Sequence, residues 1–190
     1  MVTIRHETPF DIAAREALLD EAFGECRFAK TAQRLRDGRL PSEGLSFVAL
    51  DNERVIGTVR LWDVTAGPKQ SALLLGPIAV ACDRQGHGVG GALMRHSLRA
   101  ASDLGHEAVL LVGDAPYYSR FGFSAEAAGT LWLPGPYERH RLLAREFVPG
   151  ALADAKGLIS ATGRHEPKPD LAALVAGLAR REIPLASRAA

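Results

Sequence analysis

Cysteine is almost missing from this chain: Cys26 and Cys82 are the only two in 190 residues, far apart and without Cys or His neighbours at metal-ligand spacing. That argues against a disulfide framework and against a catalytic or structural metal, and it suits a reducing compartment in which both thiols serve as small packing residues. An excess of charge of either sign is missing too, with 23 basic residues against 22 acidic ones. Nucleic acid is therefore not expected as a partner. Long apolar runs are absent: the longest, Leu73 to Cys82, is too short for a bilayer, and the opening MVTIRHETPF has no apolar stretch behind a basic head. No membrane association is expected, and the chain reads as a soluble, unexported, cytoplasmic protein. No Gly-Lys-Ser or Gly-Lys-Thr follows the glycine cluster described below, which excludes a P-loop nucleotidase. Internal repeats are also lacking.

What is present is enough apolar residue, 47%, for one ordinary core. One domain over 1–158 is expected, followed by a 159–190 extension made of a polar linker, GRHEPKPD, and one amphipathic helix over Leu171–Arg181 capped by Asp170. That helix suits docking on the domain, bridging a homodimer or covering a cleft.

Within the domain, hydrophobic periodicity predicts a strand at Val2–Glu7, a helix at Asp11–Phe23 on Ile12, Ala13, Leu18, Leu19, Ala22 and Phe23, and a weaker helix at Ala29–Asp37. A hairpin of Leu45–Leu50 and Arg54–Val64 follows. The next strand, Ser71–Val80, carries Gly76-Pro77 in its middle; proline cannot donate to a ladder, so a bulge or splayed edge is expected there. Glu107–Val112 reads as a strand buried on both faces. A short helix capped by Asp114 ends at Gly122, another strand starts at Phe123, and Glu138–Val148 is read as a strand in preference to a helix.

The stretch DRQGHGVGGALM, Asp83 to Met94, places four glycines within six residues at the mouth of a helix. Such a turn aims unpaired backbone N–H groups and the positive end of the helix dipole at one spot, and glycine admits positive φ and close approach. A phosphate is the expected ligand. Gly86, Gly88 and Gly91 also satisfy the dinucleotide pattern G-x-G-x-x-G, with Asp114 at the end of a later strand. Yet Ala81–Gln85 separate the glycines from their strand, and no further βαβ units follow; a nicotinamide-dependent oxidoreductase is the alternative reading.

The same stretch resembles the signature Gln/Arg-x-x-Gly-x-Gly/Ala of the GNAT (GCN5-related N-acetyltransferase) superfamily, matched by Gln85, Gly88 and Gly90. Downstream, Tyr118-Ser-Arg-Phe-Gly122-Phe123 looks like the family's Tyr-x-x-x-Gly-Phe segment, and GDAPYYSRFGF is similar to a subgroup of acetyltransferases known from sequence alone. The resemblance covers about residues 2–157. It implies an α/β (α+β in some schemes) acyl-CoA N-acyltransferase fold, with a central mixed, mostly antiparallel, twisted sheet of six or seven strands flanked by helices. It also implies direct transfer of acetyl from acetyl-CoA to the primary amine of a small molecule or peptide within a ternary complex.

On that resemblance Ile78, Ala79, Val80, Arg84, Gln85, Gly86, His87, Gly88, Val89, Gly90, Gly91 and Tyr118 are expected to meet the coenzyme. Tyr118 is also the expected acid for a thiolate whose ordinary pKa is about 8.5. Tyr117 is expected to pack or to cap the pocket, and Arg120 is a second basic residue near the motifs. No base is identified: Asp63, Asp114 and His106 are candidates, while His96 is expected to be partly buried on the helix stripe. A non-catalytic acyl-CoA sensor, and a scaffold with no ligand, remain open readings.

Overall fold

The computed structural model describes residues 2–167. The expected helix at Leu171–Arg181 lies outside them. Among the described residues eight strands form a single sheet: β1 (Val2–His6), β2 (Ser46–Asp51), β3 (Arg54–Ala66), β4 (Gln70–Val80), β5 (Ala108–Val112), β6 (Leu131–Trp132), β7 (Leu142–Glu146) and β8 (Gly157–Ala161). Spatially they run β1-β2-β3-β4-β5-β7. β3 is long enough to pair with β2 over its first half and with β8 at Val64–Ala66 on the same side, and β8 in turn carries β6. Only β4 with β5 and β6 with β8 are parallel, so the sheet is mixed and mostly antiparallel. The boundary expected after residue 158 falls inside β8, whose ladder to β3 makes residues 159–161 part of the sheet.

Both faces of the sheet are covered, and period-two alternation assigns each residue to one of them. Leu73 and Leu75 of β4, Val109 and Leu111 of β5 and Leu143 of β7 meet helices α1 (Ile12–Phe23) and α2 (Val89–Asp103) through Leu18, Leu19, Leu93, Met94 and Leu98. Leu74, Leu110, Leu142 and Ala144 face the opposite side, under Leu35, Leu131, Leu133, Leu152 and Ile159. This is why β5 reads as an unbroken apolar run. Helix α2 begins at Gly88, in the left-handed region at φ 82°, and stops where Gly105 takes φ 83°.

Several expectations change. The stretch expected as a helix at Ala29–Asp37 holds only the 3-10 turn Thr31–Leu35, with a second turn, Glu25–Ala29, ending at its start, because Lys30 between them is extended (φ −66°, ψ 135°) and breaks the helical path. The strand expected at Phe123 shrinks to one bridge, Ser124 with Ala144, and the β pairing in that region moves to Leu131–Trp132. Both cysteines are exposed thiols, so neither packs in the core. In α1, Ile12 faces solvent while Arg15 is buried. Arg15 reaches the Glu7 carboxylate, which Arg60 of β3 also holds.

The start of α1 is pinned by Asp11, which accepts from the Arg5 guanidinium at 2.7 and 2.9 Å and from the Thr8 N–H and hydroxyl at 2.7 and 2.8 Å. Arg5 chiefly, then the Thr8 donors, hold its carboxyl well below the ordinary carboxylate range, against the opposing effect of burial. A carboxyl depressed on folding contributes stability that is complete above its unfolded value of about 4 and is lost as pH falls below it. The melting temperature should therefore drop through the acid limb, and Asp11→Asn should melt lower at neutral pH with a shallower acid limb. Equal acid limbs for the two proteins would refute the assignment.

Candidate active site

β4 and β5 stay paired only at Leu73 with Val109 and Leu74 with Leu110. Beyond that point β4 bulges: Val59 faces Ile78 and Leu61 faces Leu75, so Arg60 alone stands opposite Gly76-Pro77, as the sequence predicts. The Gly76 carbonyl accepts from the Trp62 indole N–H. From Leu75 onward the backbone of β4 has no strand on its β5 side, and a cleft of about 820 Å³ opens there.

The cleft wall is assembled from several separate parts of the chain. β4 gives Leu75, Gly76, Pro77, Ile78 and Val80; β5 and its exit give Leu111, Val112, Gly113 and Asp114; α2 gives Gly90; and the short helix α3 (Ala115–Tyr118) gives Tyr117 and Tyr118. The remaining side comes from the end of α1, the 25–36 stretch that holds the two 3-10 turns, and 133–141, with Phe23, Arg27, Lys30, Gln33, Arg36, Tyr137, Glu138 and Arg141 among the lining residues. None of this last group was expected as a site residue from the sequence.

At the mouth of α2, Gly86 and Gly88 take φ 77° and 82°, and a Cβ on either would meet nothing within 4 Å. Glycine is required there by backbone angle rather than by want of space. Gln85 donates from Nε2 to the Val80 carbonyl at 3.3 Å, tying the loop to the end of β4, and the His87 ring nitrogen Nδ1 lies 2.9 Å from the Gln85 carbonyl oxygen. Gly90 lies under Tyr117, whose hydroxyl would be 3.2 Å from a Cβ.

Other expected residues fall elsewhere. Val89 is buried in the core and Ala79 is buried opposite Thr58, so both offer only backbone to a ligand. Gly91 faces the Arg95 guanidinium within its own helix. Arg84 pairs with Asp51 at 2.6 Å, lies outside the lining, and has its charge already matched. Arg120 stacks on Tyr117, 4.0 Å from the ring centroid, also outside the lining. Of the base candidates, Asp63 belongs to the closed part of the sheet beside Leu73, and His106 precedes β5 at the end remote from Gly113. Asp114 remains, at the N-cap position of α3 but without a side-chain cap bond, and Glu138 joins it as a lining carboxylate. His96 is more exposed than expected and sets its edge on Phe47, at 4.7 Å between centroids.

Tyr118 is seated on backbone. A Cβ on Gly113 would stand 2.1 Å from its Cε2, so the ring lies where any other residue at 113 would project. Tyr117 meets it edge-on at 4.9 Å and Phe123 at 6.1 Å. Burial first, then Tyr117, push its hydroxyl up to about 12, with Arg141 pulling the other way. The hydroxyl is thus neutral and a donor across the physiological range. Among the described residues no cluster of His, Cys, Asp and Glu is arranged to hold a metal ion, and no helix is long and apolar enough to cross a membrane.

An acetyltransferase (GNAT) domain model matches residues 42–125, which run from just before β2 through the glycine loop to just past Phe123. The chain is 32% identical over 158 residues to the uncharacterized N-acetyltransferase YhbS of Escherichia coli K12, covering 82% of this chain and 93% of that protein. The 1.55 Å crystal structure of Escherichia coli YhbS in complex with CoA matches with a TM-score of 0.72, over 85% of this chain and 89% of that one. A GNAT family acetyltransferase from Brucella melitensis in complex with acetyl-CoA matches at 25% identity and a TM-score of 0.61, over 90% of this chain and 97% of that one. The doubly wound parallel sheet that a nicotinamide-binding fold needs is not the sheet found here, where most neighbours are antiparallel.

Proposed function

Because this chain belongs to the GNAT family of N-acetyltransferases, we propose that it transfers the acetyl group of acetyl-CoA directly to an amine of a small molecule or peptide in a ternary complex. The observation that supports this most is the parting of β4 from β5 beside a glycine-built helix mouth, with a protonated tyrosine on the cleft wall.

The residues present fit the coenzyme. Its diphosphate suits the N–H groups of the Gly86–Gly91 loop, where unpaired donors and the helix dipole favour an anion. Its pantetheine arm suits the strand-free edge of β4 at Ile78–Val80, where amide groups are able to pair with it. Acetyl-CoA supplies a thioester carbon open to attack by an amine. Tyr118 offers its O–H to the leaving sulfur, and the low-dielectric wall of Leu75, Ile78 and Leu111 strengthens such a bond. Because its hydroxyl stands above the ordinary thiol, Tyr118 acts mainly as a hydrogen-bond donor and completes proton transfer only as the sulfur becomes strongly basic. Asp114 and Glu138, the two carboxylates of the lining, are the proposed acceptors for the proton of the attacking amine.

Ligand-dependent melting tests this. CoA and acetyl-CoA are expected to raise the melting temperature, by the equivalent of about 2.7 kcal/mol at a hundredfold excess over Kd, and NAD is expected to leave it unchanged. Release of free thiol with amine acceptors is expected alongside. Stabilisation by NAD but not by CoA would overturn the reading, and tight CoA binding without thiol release across a broad amine panel would leave a sensor in its place.

A further inference from the structure

Of the guanidinium groups outside the cleft lining, those of Arg34, Arg39, Arg139 and Arg145 donate to backbone carbonyls, and those of Arg5, Arg15, Arg54, Arg60, Arg84, Arg99 and Arg164 lie within 4 Å of a carboxylate. Three cations of the cleft lining do not: among the described residues, Lys30, Arg36 and Arg141 form no ion pair with an acidic side chain. Arg27, also in the lining, is matched by Glu16 at 2.6 Å and Asp20 at 2.9 Å. The wall's own carboxylates are Asp114 and Glu138, the latter 3.5 Å from His140.

The three unmatched groups come from parts of the chain that only the fold brings together. Lys30 stands between the two 3-10 turns with its ammonium 4.3 Å from the centroid of the Phe23 ring. Arg36 closes the second turn; its Nε donates to the Ala32 carbonyl at 3.1 Å, and its remaining N–H groups are left for another acceptor. Arg141 leads into β7, near enough for its charge to act on both Lys30 and Tyr118. Burial lowers Lys30, and Arg36 and Arg141 lower it further by repulsion. Arg36 is held down to about 10 by burial. Like charges gathered in a partly dry wall are unfavourable unless an anion joins them.

We propose that Lys30, Arg36 and Arg141 form a seat for an anionic group on the acceptor, so that the substrate class is a small amine that also carries a carboxylate or phosphate. This rests on the acetyltransfer reading. It places the anion beside Arg141 and the amine toward Tyr118, and it disfavours polyamines and lysine-rich peptides by charge repulsion. The cofactor's diphosphate has its own donors at the glycine loop, on a different segment.

The test measures thiol release with free amino acids and aminoalkyl phosphates against the matching amines that lack the anionic group. Wild type is expected to favour the anionic members at least tenfold in kcat/KM, the stronger series telling carboxylate from phosphate. Arg141→Gln and Arg36→Gln are expected to raise KM for them about 10- to 100-fold, as for loss of a charged hydrogen bond, with the acetyl-CoA-induced melting shift unchanged. A second measurement is independent of turnover: millimolar inorganic phosphate added to CoA-saturated protein is expected to raise the melting temperature, and the two variants are expected to lose that rise. Equal or better use of the neutral or cationic amines would overturn the seat while leaving acetyl transfer intact, and so would absence of the phosphate effect. A weakened acetyl-CoA shift in the variants would also overturn it, by assigning the cations to the cofactor. Absence of both CoA stabilisation and thiol release would instead sink the acetyltransfer reading itself.

Discussion

Tyr118→Phe is expected to bind acetyl-CoA as tightly as the parent protein and to turn it over about 100-fold more slowly, the low end of what a positioned proton donor contributes. The low end is chosen because the hydroxyl stands at about 12, so it stabilises charge on sulfur by hydrogen bonding more than by handing over its proton early. The substitution removes one oxygen and nothing else. The ring keeps its contact over Gly113, its edge-on contact with Tyr117 and its approach to Phe123, so folding and the cleft's shape are retained. The loss should therefore fall on kcat with KM for acetyl-CoA little changed. It should also be uniform from pH 6 to about 10, because the group stays neutral throughout that range. Unchanged turnover, or a loss confined to coenzyme binding, would return Tyr118 to a packing role.

Glu7→Ala is expected to lower stability by about 3–5 kcal/mol, the cost of removing one partner from a buried ion pair. At a few degrees per kcal/mol for a chain of this size, that is a fall in melting temperature of roughly 6–20 °C. The side chain of Glu7 is only 6% exposed and is held by Arg15 and Arg60, themselves 7% and 18% exposed. Arg15 passes on to Glu16, and Glu16 to Arg27 at 2.6 Å, so the first strand, the first helix and the middle of β3 share one charge network. Without Glu7, Arg60 keeps only a distant approach to the Trp62 ring, at 6.0 Å. Denaturant titration of the variant measures the change, and a value under about 1 kcal/mol would mean that the network is screened like an ordinary surface pair.

The features legible in the sequence are those that local backbone chemistry dictates. Gly86 and Gly88 had to be glycine for their left-handed angles, and Gly76-Pro77 had to interrupt a ladder, so the helix mouth and the bulge were readable from a dozen residues. β5 was readable because a strand covered on both faces leaves no room for polar residues. The acceptor half was hidden because it has no local signature. Lys30, Arg36 and Arg141 read one by one as ordinary surface cations, and only the fold makes them neighbours. Arg15 was hidden likewise, since its helical spacing argued for an apolar face that Ile12 does not in fact provide. Arg84, by contrast, lay close to the motif in sequence and was drawn off by a partner on another strand, Asp51. β8 was hidden because Gly157–Ala161 is short and next to a polar stretch that reads as linker.

The long strand β3 also sets an order of events during synthesis. The parts that the coenzyme would touch, from the β4 edge and the glycine loop to the exit of β5 and Tyr118, lie between residues 75 and 118, where β4 and β5 rest on strands already made. Arg141, β7 and β8 emerge later, and β8 returns across the chain to close against Val64–Ala66. A growing chain thus holds its cofactor half before its acceptor half is complete, since Lys30 and Arg36 come early and Arg141 late. Coenzyme bound at that stage would act as a template for the part of the protein still to come.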